Sequence, residues 1–397
     1  MSEAALVPKL RFSEFSDEWE AGYLNEFIDS LDAGVSVNST DRQAESNEKC
    51  ILKTSCVSSG VFKLKENKVV LDDDEIQRLK EPLQSNTIII SRMNTPALVG
   101  ANAIVTYSMS NVFLPDRLWA AKINKNYSGK WLGILMSSTK FRAALSARAT
   151  GTSASMKNIT KGDVLSLKIT YPAKPEQQKI AAFLTAVDTK IEQLSNKKAL
   201  LGEYKKGLMQ QIFSQAIRFK ADDGSDFPNW EEKKLGDILD YEQPTNYIVD
   251  STEYDNSFDM PVLTAGKSFV LGYTNETHKV FENIPVIIFD DFTTANKYVD
   301  FPFKVKSSAM KILKPKDSFV NIRLIFEFIQ MLNFPIGEHK RYWISEYQDL
   351  KIPFPSFEEQ TKIASFLSSI DNKIEQVGKQ LDESKQFKKA LLQQMFV

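Results

Sequence analysis

The sequence predicts an α+β chain: two mixed α/β, strand-rich modules separated by two long helices that form an antiparallel coiled coil, with a pseudo-two-fold internal repeat. Three observations carry this. One segment occurs twice at a fixed offset, its apolar residues fall at coiled-coil spacing, and the intervening stretches are short β-rich runs broken by turn residues. The 397 residues leave room for more than one core.

The repeat comes first. Residues 167–214 align without a gap on 350–397 at an offset of 183, with 22 identities in 48 pairs. Glu176-Gln177-Gln178-Lys179-Ile180-Ala181-Ala182-Phe183-Leu184 matches Glu359-Gln360-Thr361-Lys362-Ile363-Ala364-Ser365-Phe366-Leu367. A weaker echo opens each half: Arg11-Phe12, Trp19-Glu20 and Leu24 return as Arg218-Phe219, Trp230-Glu231 and Leu235. The stretches between, about 21–166 and 232–349, share no detectable similarity. Two like frames therefore enclose two unlike middles.

The repeated segments read as helices. Ile180, Leu184, Val187, Ile191, Leu194, Leu201, Leu208 and Ile212 alternate at spacings suited to a coiled-coil seam. Ile363, Leu367, Ile370, Ile374, Val377, Leu381, Leu391 and Met395 repeat the pattern. Pro172 and Pro175 precede one helix, Pro353 and Pro355 the other, where an extended chain turns helical. Two near-identical apolar stripes in one chain favour mutual antiparallel pairing over separate docking. Lys198 faces Leu381 in the alignment, and Ser384 faces Leu201, so the seam is interrupted mid-helix.

The middles carry strand-like runs: 87–91, 103–107, 261–264, 285–289 and 304–306. Residues 221–228 have the composition of a linker. The expected divisions are 1–166 (N-terminal segment and first module), 167–214 (first helical spacer), 215–349 (linker and second module) and 350–397 (second helical spacer).

Several function classes fall away. No apolar run approaches the ~18 residues of a membrane helix, and residues 1–10 lack a basic region, so no secretory signal is expected. Cys50, Cys56, His278 and His339 match no structural zinc spacing, and a reducing cytoplasm is the default. Thr264-Ala265-Gly266-Lys267-Ser268 ends like a phosphate-binding loop, but Pro261 stands where the first glycine is needed. Asn94-Thr95-Pro96-Ala97 resembles in part the tetrapeptide of adenine methyltransferases, without its second proline, its aromatic or a glycine-rich cofactor loop. Asp188-Thr189-Lys190 and Asp371-Asn372-Lys373 are expected on a solvated helix face. No catalytic residue is nominated.

Charge is uneven beneath a formal net charge of −1. Residues 87–148 hold eight basic side chains against one acid, a surplus of +7, interleaved with Trp119, Tyr127 and Trp131. Residues 262–316 hold eight lysines against five acids, a surplus of +3. Basic groups among aromatics and amides suit phosphate contact with base reading.

With these features assembled, the chain resembles the specificity subunit of type I restriction–modification systems. The resemblance rests on the two Pro-x-x-x-Glu-Gln-x-Lys-Ile-Ala-x-Phe-Leu-like blocks (172–184 and 355–367), their Asp-x-Lys-Ile-Glu-Gln continuations, the Lys-Lys-x-Leu-x-Gln-Gln-x-Phe ends and the Arg-Phe…Trp-Glu openings. It covers essentially the whole chain. Thr361 in place of a second Gln, and Glu358 where the first block has Pro175, are departures that leave the seam intact. The resemblance implies two target recognition domains, each reading half of an interrupted double-stranded DNA site. It also implies a coiled coil that sets the half-site separation and docks two methyltransferase subunits, with restriction/translocase subunits joining them. S-adenosylmethionine, ATP and Mg would belong to those partners, with no cofactor or metal in this chain, in a bacterial or archaeal cytoplasm.

Under that reading the DNA-facing candidates in the first module are Arg92, Asn94, Arg117, Lys122, Arg148, Thr150, Thr152 and Ser153. Those in the second are Lys267, Thr293, Thr294, Asn296 and Lys297, with Lys304 and Lys306 expected on phosphates. Two alternatives differ in class. A self-contained modification enzyme would need a methyltransferase region, which the motifs do not supply. A coiled-coil scaffold without a DNA role would leave the basic windows unexplained.

Overall fold

The computed structural model describes residues 7–151, 155–265, 268–335 and 341–397. The chain divides into two units, Met1–Gln193 with Leu381–Val397, and Leu194–Gln380. Two helices, Lys174–Phe213 and Phe357–Gln394, contribute to both.

In the first unit the central sheet runs Ile28–Ala33, Leu118–Ile123, Thr87–Ser91, Asn102–Val105, every neighbour antiparallel. Side chains alternate along a strand, so Ile88, Ile90, Trp119 and Ala121 face a core that contains Trp131, Leu132 and Met136 of the helix Gly129–Ser137. Ile89, Leu118 and Ala120 point the other way, into a core shared with Cys50, Leu52 and Val112 of a second sheet. In that sheet Cys50–Leu52 pairs in parallel with Met109–Phe113.

The second unit repeats this plan with different residues. Its central sheet runs Leu239–Glu242, Met310–Pro315, Val286–Asp290, Asn296–Val299, again antiparallel throughout. Ile287, Phe289 and Leu313 share a core with the helix Ile322–Met331. Val286, Ile288 and Ile312 pack with Leu263 and Val305 of a smaller sheet in which Met260–Leu263 and Lys304–Val305 are parallel. The middles that show no sequence similarity therefore share strand order, pairing sense and the side on which the helix lies.

Within each unit the long helices pair antiparallel. In the first, Ile180 and Leu184, near the start of one helix, are buried in one core with Leu391 and Met395 at the end of the other. In the second, Met209 and Ile212 share a core with Ile363 and Leu367. Leu194, Ile370, Val377 and Leu381 are buried, while Val187, Ile191, Leu201, Leu208 and Ile374 are half-buried. Lys388 pairs with Asp188 at 2.5 Å, and their repeat counterparts Lys205 and Asp371 lie 2.8 Å apart. No helix of the described residues is long and apolar enough to cross a membrane. Residues 220–226, overlapping the expected linker, close a tight hairpin whose Asp222 pairs with Lys362.

Candidate DNA-recognition surfaces and the clamps that carry them

The repeated motifs turn out to be fasteners. Just after Trp19, the strand Glu20–Tyr23 pairs with Lys168–Tyr171, and Glu231–Lys234 pairs with Lys351–Phe354 in the same register, Glu20 opposite Tyr171 and Glu231 opposite Phe354. The two ends of each middle are thereby stitched together at the root of a long helix. Arg11 donates through Nε and Nη2 to both carboxylate oxygens of Glu176, at 2.8 and 2.7 Å, and Trp19 Nε1 donates to the same group at 3.3 Å. Arg218 and Trp230 treat Glu359 alike, at 3.2, 2.7 and 2.8 Å. Both carboxylates are almost fully buried, which a charge tolerates only when paired and hydrogen-bonded. The hydrogen bond to Glu176 raises the Arg11 pKa above its usual value.

The glutamine beside each carboxylate performs a second task. Gln177 donates to the Pro172 carbonyl and accepts from the Ser128 backbone N–H, each at 2.9 Å. Gln360 donates to the Pro355 carbonyl at 2.9 Å and accepts from Asn321 N–H at 2.8 Å. Ser128 and Asn321 are the N-caps of Gly129–Ser137 and Ile322–Met331. Phe12 meets Phe183 edge-on, and Phe219 meets Phe366 likewise. Phe396 stacks on Trp131, and Phe213 lies 4.2 Å from Phe328, centroid to centroid.

In the first unit, residues far apart in sequence converge. Met93–Asn94 pairs with Lys157–Asn158, Thr150 bridges Asn158, and Ile159 N–H donates to the Arg92 carbonyl. Arg92, Asn94 and Thr150 thus share one patch with Lys157, which sequence reasoning missed. Its signal was weak: a lone lysine after a Ser/Thr loop. Gly151 holds the turn at φ +151°, and a Cβ there would lie 2.8 Å from the Met156 carbonyl, so glycine is needed. Thr152 and Ser153 lie outside the described residues.

Other candidates have different occupations. The Arg92 Nε donates to the Asp116 carbonyl at 2.6 Å. Arg148 donates to the Asp163 carbonyl and to Ser166 Oγ, both at 2.8 Å. Lys122 bridges Asp32 and Glu81 at 2.9 and 3.2 Å, and the hydrogen bond it donates to Asp32 leads the causes that raise its pKa. Arg117 is exposed. The interleaved aromatics serve the core: Trp119 and Trp131 are buried and Tyr127 stacks on Phe27.

In the second unit, Thr293, Thr294, Asn296 and Lys297 cluster at the turn joining Val286–Asp290 to Asn296–Val299. Asp290 Oδ1 accepts from Phe292 and Thr293 N–H, Thr294 adopts φ +57°, and Asn296 bonds Gln330. Lys297 and Thr293 are exposed; Lys306 is half-buried over the Tyr254 ring. Lys304, expected on a phosphate, is instead fully buried. Its ammonium donates to the His278 carbonyl at 2.6 Å and pairs with Glu276 at 2.9 Å. Lys311 is similarly buried beside Asp291, so two of the eight lysines in this window are internal and offset two of its five acids, which leaves the +3 surplus to the other residues. Lys267 lies outside the described residues.

Comparison with known proteins agrees with this architecture. The family model described as Type I restriction modification DNA specificity domain matches residues 16–202 and 228–384. The chain belongs to that family of type I restriction–modification DNA specificity proteins. The specificity subunit of an Escherichia coli type I restriction enzyme is 49% identical over 141 residues, 34% of this chain and 35% of that protein, so this match spans about a third of the relative's length. A type I restriction enzyme specificity subunit from Methanocaldococcus jannaschii is 21% identical over 412 residues, covering 95% of this chain and 91% of its own. The crystal structure of a type I restriction–modification S subunit from M. genitalium superposes with a TM-score of 0.67 at 18% identity, over 98% of this chain and 99% of the other.

Proposed function

We propose that the chain recognises an interrupted, two-part target in duplex DNA, each unit reading one half, and holds methyltransferase and restriction subunits on that site. The observation that carries this is the doubled frame. One fold occurs twice, fastened by the same Arg–Glu–Trp clamp, while the side chains on the candidate surfaces differ. Two like platforms with unlike surfaces suit two unlike half-sites read from one duplex. The chain itself is non-catalytic in this reading and acts in the cytoplasm. S-adenosylmethionine, ATP and Mg serve the partner subunits.

The proposed DNA-facing groups are Arg117 with the patch of Asn94, Thr150 and Lys157 in the first unit. In the second they are Thr293, Asn296 and Lys297, with Lys306 on phosphate. Lys122, Arg148 and Lys304 are assigned to holding the fold. The test is the methylome of a host expressing this chain with its methyltransferase subunit. One bipartite methylated motif, absent without the chain, is the expected result; modification of a continuous motif, or of none, contradicts the proposal.

A further inference from the structure

The loop between Met93–Asn94 and Asn102–Val105 carries an exposed tip, Thr95-Pro96-Ala97, next to Asn94. One helix grips it. In Thr139–Ala147, Arg142, Leu145 and Ser146 stand at spacings of three and four, so they share a face. Arg142 donates through Nη2 to the Ala97 carbonyl at 3.2 Å, and Ser146 Oγ donates to the Pro96 carbonyl at 3.0 Å. Gly100, at φ +75°, lies so close that a Cβ there would come within 2.9 Å of the Leu145 Cβ. Three contacts from one helix face thus fix residues 96–100. Asn94 is preset as well: its Oδ1 accepts from Thr95 N–H at 2.8 Å and its Nδ2 donates to Ser91 Oγ at 3.2 Å. Each of those atoms keeps the capacity for one further bond.

The grip closes a ring. Asn94 pairs with Lys157 and Asn158 with Thr150; the chain runs from Thr150 back to Ser146, which returns to Pro96. Asn94, Thr150 and Lys157 all sit on this ring, so their spacing depends on the helix keeping hold of the loop. Arg142 is the odd member. It is half-buried, and its Nε is buried without a hydrogen-bond partner among the described residues. Burial lowers its pKa, and no acid acts against that. A cation held without a counter-charge is destabilising, and an apolar side chain of similar length would fill the same space without that penalty. What the guanidinium adds is a directed hydrogen bond to the loop.

We propose that Arg142 is a positioning residue for sequence reading: with Ser146 it holds residues 94–97 in the geometry in which the Asn94 amide meets a base edge of the first half-site. This rests on the DNA-reading role proposed for the first unit. A reading group must be held closely, because a loose donor–acceptor pair fits several bases. The methylome of the wild-type system first defines the motif. The full chain, in complex with the methyltransferase subunit of its own system, is then titrated with the matching duplex and with duplexes changed at single bases in either half. Arg142→Met should lower discrimination about tenfold in one half-site and leave the other intact, with the thermal unfolding temperature unchanged or higher. Arg142→Lys, which keeps a donor for the Ala97 carbonyl, should recover much of that loss. Ser146→Ala should relax the same half-site to a smaller extent, and it decides the matter if the methionine variant does not fold. Full discrimination in the variants would overturn the positioning role. So would equal weakening on matched and altered duplexes with a shallower salt dependence, which marks a phosphate contact instead. Discrimination lost in both halves would make Arg142 a residue of the general fold. A wild type that yields no two-part motif would overturn the DNA-reading role itself, and the positioning role with it.

Discussion

Glu176 and Glu359 show how a few side chains secure a module. Each carboxylate is nearly sealed from water, and each is neutralised by an arginine that reaches it across more than a hundred residues of sequence. Removing the cation strands a buried charge, which costs far more than losing an exposed pair. Arg11→Ala should therefore lower unfolding stability by about 3–5 kcal/mol, and Glu176→Gln in that background should recover part of the loss. Denaturant titration checks this, and an unchanged midpoint would remove the clamp from the account. The cysteines permit a second prediction. Burial pushes the thiols of Cys50 and Cys56 up to about 11 and about 12. Both pKa values lie well above neutral pH, so little thiolate forms in the native state. Labelling by a disulfide reagent at pH 7.5 should wait for unfolding; prompt labelling of the native chain would show that the cores open readily.

At the scale of elements, the repeat makes identical residues do unequal work. Lys388 meets only a partly exposed Asp188 among the described ion pairs, whereas Lys205 meets both Asp371 and the buried Glu327, which also binds Arg323. Lys388→Met should cost under about 1 kcal/mol, while Lys205→Met should cost about 2–4 kcal/mol because Glu327 loses one of its cations. Hydrogen exchange resolved by unit can separate the two, and equal losses would mean that the buried network carries no extra stability. The long helices were legible in the sequence because their apolar spacing and their duplication are both local signals. So was the strand Thr87–Ser91, whose apolar run is buried on both faces. The shared topology of the middles was not legible. A sheet needs alternation and register, and Ile88-Ile89-Ile90 or Ile287-Ile288-Phe289 meets that need without any residue-by-residue likeness.

At the scale of the whole molecule, the sequence pointed to a DNA-directed chain more securely than to the residues that touch DNA. Counting lysines along a window treats every ammonium as outward. The buried Lys304 and Lys311 instead neutralise the half-buried Glu276 and the buried Asp291, and Lys122 bridges two carboxylates, Asp32 and Glu81. The convergence of Asn94, Thr150 and Lys157 depends on strand pairings between distant segments, which composition does not encode. What the repeat did reveal is the division of labour: the duplicated motifs fasten, and the unlike middles present. Exchanging residues 21–166 for the equivalent stretch of a relative tests that division most directly, with the host methylome as the readout. The account predicts a new bipartite motif in which one half-site has changed and the other is retained. Both halves changing, or neither, would contradict it.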